Sequence, residues 1–155
     1  MLNTIRPWLS IGDYLATRNL VLLQANQIGA ILQLAEQVNH PQIITCYLPV
    51  EDGIALSPDL LRQGVDFVLA QQRQGQHVII ACGAGISRSA IFATAALKET
   101  EDITLLEAVQ SVKLYHPDTL PHMALWASLC TYYHEAIPFL TMLRALKTVK
   151  REPGK

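Results

Sequence analysis

Cys82 and Arg88 are separated by five residues, and the segment between them has the composition of an anion-binding loop. The segment reads Cys-Gly-Ala-Gly-Ile-Ser-Arg over residues 82–88. Glycine at positions 83 and 85 lets the backbone curl so that its N–H groups converge, which is how many proteins bind phosphate. A thiolate in such a nest is a nucleophile, and a guanidinium holds two phosphate oxygens at once. The spacing therefore predicts Cys82 as nucleophile and Arg88 as phosphate clamp.

The segments on either side of this loop are predicted to hold it at the edge of a sheet. Residues 77–81 form a short apolar run, typical of a strand buried on both faces. A helix is predicted over residues 88–99, and the positive end of its dipole favours both a thiolate and a phosphate. Ser89 places a hydroxyl beside the sulfur, where a hydrogen bond would make the sulfur a better leaving group. A purely structural cysteine is the alternative, and the coincidence of strand, glycines and helix argues against it.

The residues between the nucleophile and the clamp are predicted to contact the phosphate through their backbone: Gly83, Ala84, Gly85, Ile86 and Ser87. None of their side chains is basic, whereas a site for several phosphates on one molecule would need added Lys or Arg. A single phosphate monoester is therefore the favoured ligand. A non-protein phosphate ester and a catalytically silent phosphate-binding module remain alternatives.

Strands alternate with helices along the chain, which predicts an α/β fold. The expected strands cover residues 8–11, at an edge of the sheet, and residues 30–34, 43–50 and 77–81. The expected helices cover residues 19–27, 58–74, 88–99, 104–115 and 121–137, with Pro138 separating a last helix over residues 139–149. Ser57 is the predicted N-cap of the second helix, with Pro58 at its first position. We expect one domain over residues 1–150, with a mostly parallel sheet of four or five strands flanked by helices, a largely helical C-terminal half, and a short basic tail over residues 151–155.

The composition of the chain argues against several classes of function. Half of the 155 residues are apolar, 16% are charged and the net charge is −1, so the basic surplus of a nucleic-acid binder is missing. The longest apolar stretches are shorter than the roughly 20 residues that cross a bilayer, and the first residues lack the apolar core of a signal peptide. Three cysteines without metal-ligand spacing favour a reducing, cytoplasmic setting. We expect no metal, no cofactor and no membrane contact; the sequence leaves the oligomeric state open, with a monomer favoured.

The loop also carries a family resemblance. Residues 82–89, CGAGISRS, resemble the signature loop of the dual-specificity subgroup of the cysteine-dependent protein tyrosine phosphatases. Residues 5–12 and 28–35 are similar to that family's first strands, and residues 105–116 with 121–132 to its closing helices. The resemblance implies hydrolysis of phosphotyrosine and of phosphoserine or phosphothreonine in proteins, through a phosphocysteine, in a shallow pocket. The family usually has His immediately before the nucleophile, where this chain has Ala81, and an Asn or Gly-Phe element in the stretch that residues 116–122 occupy here.

Expelling an alkoxide or phenoxide needs a proton donor. Residues 47–52, YLPVED, resemble the strand and loop that carry the family's general acid, which implies this role for Asp52. Gly53 would allow the loop to move. Glu51, closer to the strand, and Asp59, in a first helical turn where the dipole alone favours an acid, are the competing candidates.

The other cysteines and the histidines are given structural roles. Cys46 lies on a strand that could neighbour that of Cys82, which leaves a resolving thiol as the alternative to a small buried hydrophobe. Cys130 lies on an apolar helix face and is expected in the core. The five histidines show no ligand spacing and are expected at the surface or in loops: His40, His77, His116, His122 and His134.

Overall fold

The structure, a computed structural model, describes residues 1–150, and the predicted tail over residues 151–155 lies outside the described residues. Five strands form one sheet in the order β1-β2-β5-β3-β4. Their bounds are β1 Leu2–Arg6, β2 Leu9–Asp13, β3 Ile28–Gln33, β4 Ile44–Tyr47 and β5 His77–Cys82. The pairs β2–β5, β5–β3 and β3–β4 are parallel, and β1 pairs antiparallel with β2. The predicted α/β fold with a mostly parallel sheet is confirmed.

Seven helices surround the sheet within residues 1–150: α1 Tyr14–Arg18, α2 Leu20–Ala25, α3 Pro58–Arg73, α4 Arg88–Glu101, α5 Leu105–Tyr115, α6 Met123–Tyr133 and α7 Phe139–Lys147. Ser57 caps α3 by accepting a hydrogen bond from the N–H of Leu60, with Pro58 at the first helical position as predicted. Helix α4 is buried along most of its length because it packs on the sheet, α3, α5 and α6. The four last helices make the C-terminal half helical, as expected.

The strand that ends at Cys82, the predicted nucleophile, lies at the centre of the sheet. β5 is hydrogen-bonded to β2 on one side and to β3 on the other. Residues 78–82 are all buried, which explains why β5 reads as an uninterrupted apolar run rather than an alternating one. Cys82 is its last residue and therefore stands at the carboxyl edge, where α/β sheets bind ligands.

The predicted edge strand over residues 8–11 is wrong in position. β2 covers Leu9–Asp13 and lies inside the sheet, because the unpredicted β1 returns antiparallel to it and forms the edge. β1 reads LNTIR and is mostly polar, with Ile5 as its one buried residue, so it lacks the apolar signal that marks the other strands.

Several helix and strand bounds are also corrected. The helix predicted over residues 121–137 is α6, Met123–Tyr133, which ends where His134 takes a left-handed conformation. The strand predicted over residues 43–50 is limited to β4, Ile44–Tyr47, and the helix predicted over residues 19–27 to α2, Leu20–Ala25. Helix α1, whose N-terminus Asp13 caps, was not predicted.

Candidate active site

Cys82 lies at the floor of a cleft, with its sulfur among hydrogen-bond donors. The residue is 2% exposed, and the N–H of Gly85 donates to its Sγ at 3.2 Å. Ser89 Oγ lies 3.3 Å from the same sulfur, from the first turn of α4. Hydrogen bonds to sulfur stabilise a thiolate as attacking group and as leaving group. The predicted placement of Ser89 beside Cys82 is what the structure shows.

The loop after Cys82 is shaped by its glycines. Gly85 has a φ of +71°, and a Cβ at this position would lie 2.6 Å from Met1 Cε and 2.9 Å from the carbonyl oxygen of Gly12. Only glycine meets both requirements without a rearrangement. The carbonyl of Gly83 accepts a hydrogen bond from the N–H of Tyr14 at 3.2 Å, which fixes the outer side of the loop. The loop is therefore held to the segment that follows β2.

Arg88 begins α4 and folds its side chain back over the loop. Its Nη1 donates to the carbonyl of Val50 at 3.0 Å. A Cβ at Gly83 would lie 3.2 Å from Nη2, so glycine at this position leaves room for the guanidinium against the loop backbone. The bond to Val50 uses one of five N–H donors and leaves the others for a ligand.

Asp52 is tied to the loop by a serine hydroxyl. Ser87 Oγ donates to Asp52 Oδ1 at 2.8 Å and accepts from the backbone N–H of His122 at 2.9 Å. Ser87 occupies the N-cap position of α4, but its side chain does not cap the helix. The first-turn amides of α4 consequently stay available to an anion. Asp52, rather than the competing candidates, is the carboxylate that lies against the loop.

Asp59 and Glu51 are placed differently. Asp59 is exposed in the first turn of α3, and it does not line the cleft that contains Cys82. Glu51 precedes Asp52 and lines a second cleft that Asp52 also borders. This placement favours Asp52 as the acid.

Two clefts meet at this loop. The first, here the apolar cleft, has a volume of about 610 Å³ and contains Cys82; its apolar lining includes Ile86, Leu120, Met123, Phe139 and Leu143. The second, here the acidic cleft, has a volume of about 700 Å³, and its acidic lining is Glu36, Glu51 and Asp52. Asp52 and Arg88 line both clefts.

His116 supports the loop from beneath; it lies in a loop after α5, one of the two predicted locations, but is buried rather than at the surface. It is fully buried; its Nε2 donates to the carbonyl of Gly85 at 2.5 Å, and its Nδ1 accepts from the amide of Asn3 at 2.7 Å. Burial lowers the pKa of His116, against an opposing effect of the bond to Gly85. A neutral ring with its proton on Nε2 satisfies both bonds.

His122 was also missed as part of the site. It lies at the N-terminus of α6, exposed, and lines the apolar cleft. One feature of the sequence could have pointed to both histidines. They lie in residues 116–122, directly after the end of the helix predicted over residues 104–115.

The comparisons with known proteins agree with this geometry. The profile described as "Dual specificity phosphatase, catalytic domain" matches residues 11–135. The chain belongs to the dual specificity phosphatase family. The segment matched contains Asp52 and the loop from Cys82 to Arg88, whereas Asn3, Phe139 and Leu143 of the site described above lie outside it.

Individual members of the dual specificity phosphatase family show how far the likeness extends. Human dual specificity protein phosphatase 16 is 31% identical over 83% of this chain, which spans 20% of that protein. Rat dual specificity protein phosphatase 5 is 25% identical over 86% of the chain, which spans 36% of that protein. A solved structure of a mouse putative dual specificity phosphatase complexed with zinc tungstate superposes with a TM-score of 0.80 at 26% identity, over 94% of this chain and 91% of the other. The chain thus spans well under half of these two curated relatives and nearly all of the solved domain.

In this dual specificity phosphatase domain, Cys46 is too far from Cys82 to act as a resolving thiol, the alternative to its expected role as a small buried hydrophobe. β3 lies between β4 and β5, with Cys46 opposite Leu32 and Leu32 opposite Ile80. Two strand spacings are about 10 Å, and a disulfide needs Cα atoms within about 7 Å. Burial raises the pKa of Cys46 and also that of Cys130, which lies in the core as expected.

None of the helices within residues 1–150 combines the length and the apolar character that a membrane span requires.

Ala81, at the position where the family usually has His, is fully buried. Its carbonyl accepts a hydrogen bond from the N–H of Leu34 at 2.9 Å.

Proposed function

We propose that residues 1–150 form a protein phosphatase domain that hydrolyses phosphotyrosine, and also phosphoserine and phosphothreonine, through a phosphocysteine. One observation carries the proposal. Cys82 Sγ, the guanidinium of Arg88 and the carboxyl of Asp52 border one cleft, and the free first-turn amides of α4 face the loop between them.

In the first step the thiolate of Cys82 attacks phosphorus in line with the ester oxygen. The bond from phosphorus to that oxygen breaks as the bond to sulfur forms, and Asp52 gives its proton to the departing oxygen. Arg88 holds two equatorial oxygens bidentately while the phosphorus is trigonal. The loop amides from Gly83 to Ser87 and the N-terminus of α4 stabilise the same charge.

In the second step water attacks the phosphocysteine and transfers a proton to the Asp52 carboxylate. The phosphorus–sulfur bond breaks, and inorganic phosphate and the thiolate are released. The Ser89 hydroxyl, at 3.3 Å from the sulfur, stabilises the departing thiolate by a hydrogen bond. Ser87 orients Asp52 in both steps through its bond at 2.8 Å. All steps use residues of the chain, so we expect turnover to persist in the presence of a strong chelator.

The experiment is hydrolysis of an aryl phosphate and of a phosphotyrosine peptide by wild type and by Cys82→Ser, with and without EDTA. We expect Cys82→Ser to abolish turnover while phosphate and vanadate still bind. Residual activity above about one part in a thousand contradicts a covalent mechanism through Cys82, because loss of a nucleophile usually costs more. An absolute requirement for added metal would also contradict the mechanism.

A further inference from the structure

We propose that the two clefts select the sequence around the phosphorylated residue: the apolar cleft binds a large apolar side chain on one side of it, and the acidic cleft binds Lys or Arg on the other. The proposal deepens the proposed phosphatase function and rests on it. It names a substrate class, which is a phosphopeptide segment with an apolar and a cationic neighbour.

The clefts are continuous with the phosphate site. Asp52 and Arg88 line both clefts, and Cys82 lies in the apolar one. An ester whose phosphate is held by the loop must therefore direct the rest of the molecule along one cleft or both. An extended peptide advances about 3.3–3.6 Å per residue, so the immediate neighbours of the phosphorylated residue reach the two clefts.

Several apolar side chains that line the apolar cleft are exposed to solvent rather than buried in the core. Leu120 is 52% exposed, Met123 58% and Ile86 37%. Ile86 comes from the loop, Leu120 from the segment leading into α6 and Met123 from the start of α6 itself. Phe139 and Leu143 of α7 line the same cleft. Exposed apolar groups that converge beside a polar reaction centre are the usual lining of a ligand site.

The acidic cleft offers carboxylates without cationic partners. Glu36 and Glu51 are both exposed, and neither forms an ion pair with any of residues 1–150. Among the described residues that line this cleft, Arg88 is the one cation, and it is committed to the phosphate. A Lys or Arg of the substrate complements these charges, whereas a headgroup with further phosphates is repelled by them. The charge pattern therefore favours a peptide over a polyphosphorylated lipid.

The test uses phosphotyrosine peptides that differ only next to the phosphorylated residue. The set is Ser–pTyr–Ser, Leu–pTyr–Lys, Lys–pTyr–Leu, Leu–pTyr–Leu and Glu–pTyr–Glu. We measure kcat/KM with wild type and, independently of turnover, binding to Cys82→Ser. One of the two mixed peptides is expected to exceed Ser–pTyr–Ser by about tenfold or more, and the better of the two gives the direction of binding.

Variants assign each preference to its cleft. Leu120→Gln with Met123→Gln should remove most of the advantage of Leu, and Glu36→Gln with Glu51→Gln should reduce that of Lys by about threefold at low salt and less at high salt. The four positions are exposed, so unfolding midpoints should stay near wild type. Val21→Gln is the matched control, because Val21 is 77% exposed and lines neither cleft.

The outcomes separate this proposal from the proposed function. Equal kcat/KM and equal binding for all peptides, with normal hydrolysis of an aryl phosphate, overturn the specificity and leave the phosphatase intact. A preference for Glu–pTyr–Glu also overturns the proposed specificity. So does faster turnover of vesicles that contain phosphatidylinositol phosphate than of the best peptide. Peptide preferences in binding to Cys82→Ser, without any turnover by wild type, support the clefts and contradict the phosphatase.

Discussion

Two arginines at opposite ends of α4 allow a structural guanidinium to be compared with the one proposed to bind phosphate. Arg62 of α3 donates twice to Glu99 near the C-terminal end of α4, at 2.9 Å each, and also to Asp66 and to the hydroxyl of Tyr132. Arg88, at the N-terminal end, donates to one carbonyl, that of Val50. Arg62 uses four of its five N–H donors within its own chain, whereas Arg88 uses one, which leaves the others for the proposed phosphate.

The electrostatic surroundings of Arg62 and Arg88 also differ. The hydrogen bonds that Arg62 donates to Glu99 raise the pKa of Arg62 above its ordinary value, and burial together with Glu99 raises the pKa of Tyr133, whose hydroxyl also donates to Glu99. This cluster joins α3, α4 and α6 and needs nothing further. The loop at the other end is an arrangement of N–H and guanidinium donors that converge beside Cys82. An arginine that keeps most of its donors unused beside convergent N–H groups is thus a stronger sign of function than one paired with several acceptors of its own chain.

The largest effect should come from exchanging the two guanidiniums for ammonium groups. Arg88→Lys is expected to lower kcat/KM by about 10³-fold without a change in unfolding midpoint, because a point charge cannot replace a bidentate clamp in the transition state. Arg62→Lys is expected to keep near-normal kcat/KM and to lower the midpoint. Steady-state kinetics and thermal unfolding on both variants make the check. The reverse pattern would contradict the distinction between the two arginines.

The next effect concerns the acid beside Arg88. Asp52→Asn is expected to lower kcat/KM by about 10²-fold for phenyl phosphate or a phosphotyrosine peptide and by much less for an activated aryl phosphate, since only a poor leaving group needs the proton. A plot of log kcat/KM against leaving-group pKa measures this. Asp59→Asn, at an exposed carboxylate outside both clefts, is the control. If Asp59→Asn showed the leaving-group dependence and Asp52→Asn did not, the acid would be misassigned.

A smaller effect should follow from disrupting the cluster that Arg62 and Tyr133 form with Glu99. Glu99→Gln removes the charge that Arg62 and Tyr133 share, and we expect it to lower the free energy of unfolding by about 1–2 kcal/mol. Turnover should be unaffected because the cluster is at the far end of α4. Urea unfolding monitored by fluorescence gives the value. Glu36→Gln, at a carboxylate without an ion pair among residues 1–150, should stay within about 0.5 kcal/mol of wild type.

The smallest effect is a pH dependence at the loop. Burial lowers the pKa of His116 and of His77 in the folded protein, whereas unfolded histidine titrates near about 6.5. The unfolded chain therefore binds more protons below that pH, and the free energy of unfolding should fall as the pH drops below it. Urea midpoints at pH 7.5 and pH 5.5 test this. His116→Gln should reduce the loss on acidification, while His134→Asn, at an exposed helix end, should retain it.

The sequence was sufficient for features that local contacts determine. The strand into Cys82, the glycines of the loop and the start of α4 are adjacent in the chain, and the N-cap at Ser57 is a local hydrogen bond. Each could therefore be predicted within one or two residues of its observed place. The mostly parallel sheet followed from the alternation of strands and helices.

The parts that were missed depend on contacts between distant residues. β1 has a mostly polar sequence and exists as a strand because it pairs with β2. His116 is buried because Gly85, 31 positions away, and Asn3, 113 positions away, provide its two partners. The interior position of β2 and the separation of Cys46 from Cys82 depend on strand order, which periodicity does not contain. Ser87 looked like a loop residue, and its bond to Asp52 across 35 positions was equally hidden.

The hydrogen bond between Asn3 and His116 has a consequence for when the domain acquires its activity. The phosphate loop is held by β1, by the segment after β2, by Val50 and by the start of α6, and the longest of these links spans 113 residues. Such long-range closures form late in folding. During synthesis the nucleophile is translated well before His116 and His122, so a nascent chain carries Cys82 for dozens of residues without its supports. We therefore expect competence for phosphate only after the segment that leads into α6 has left the ribosome and docked.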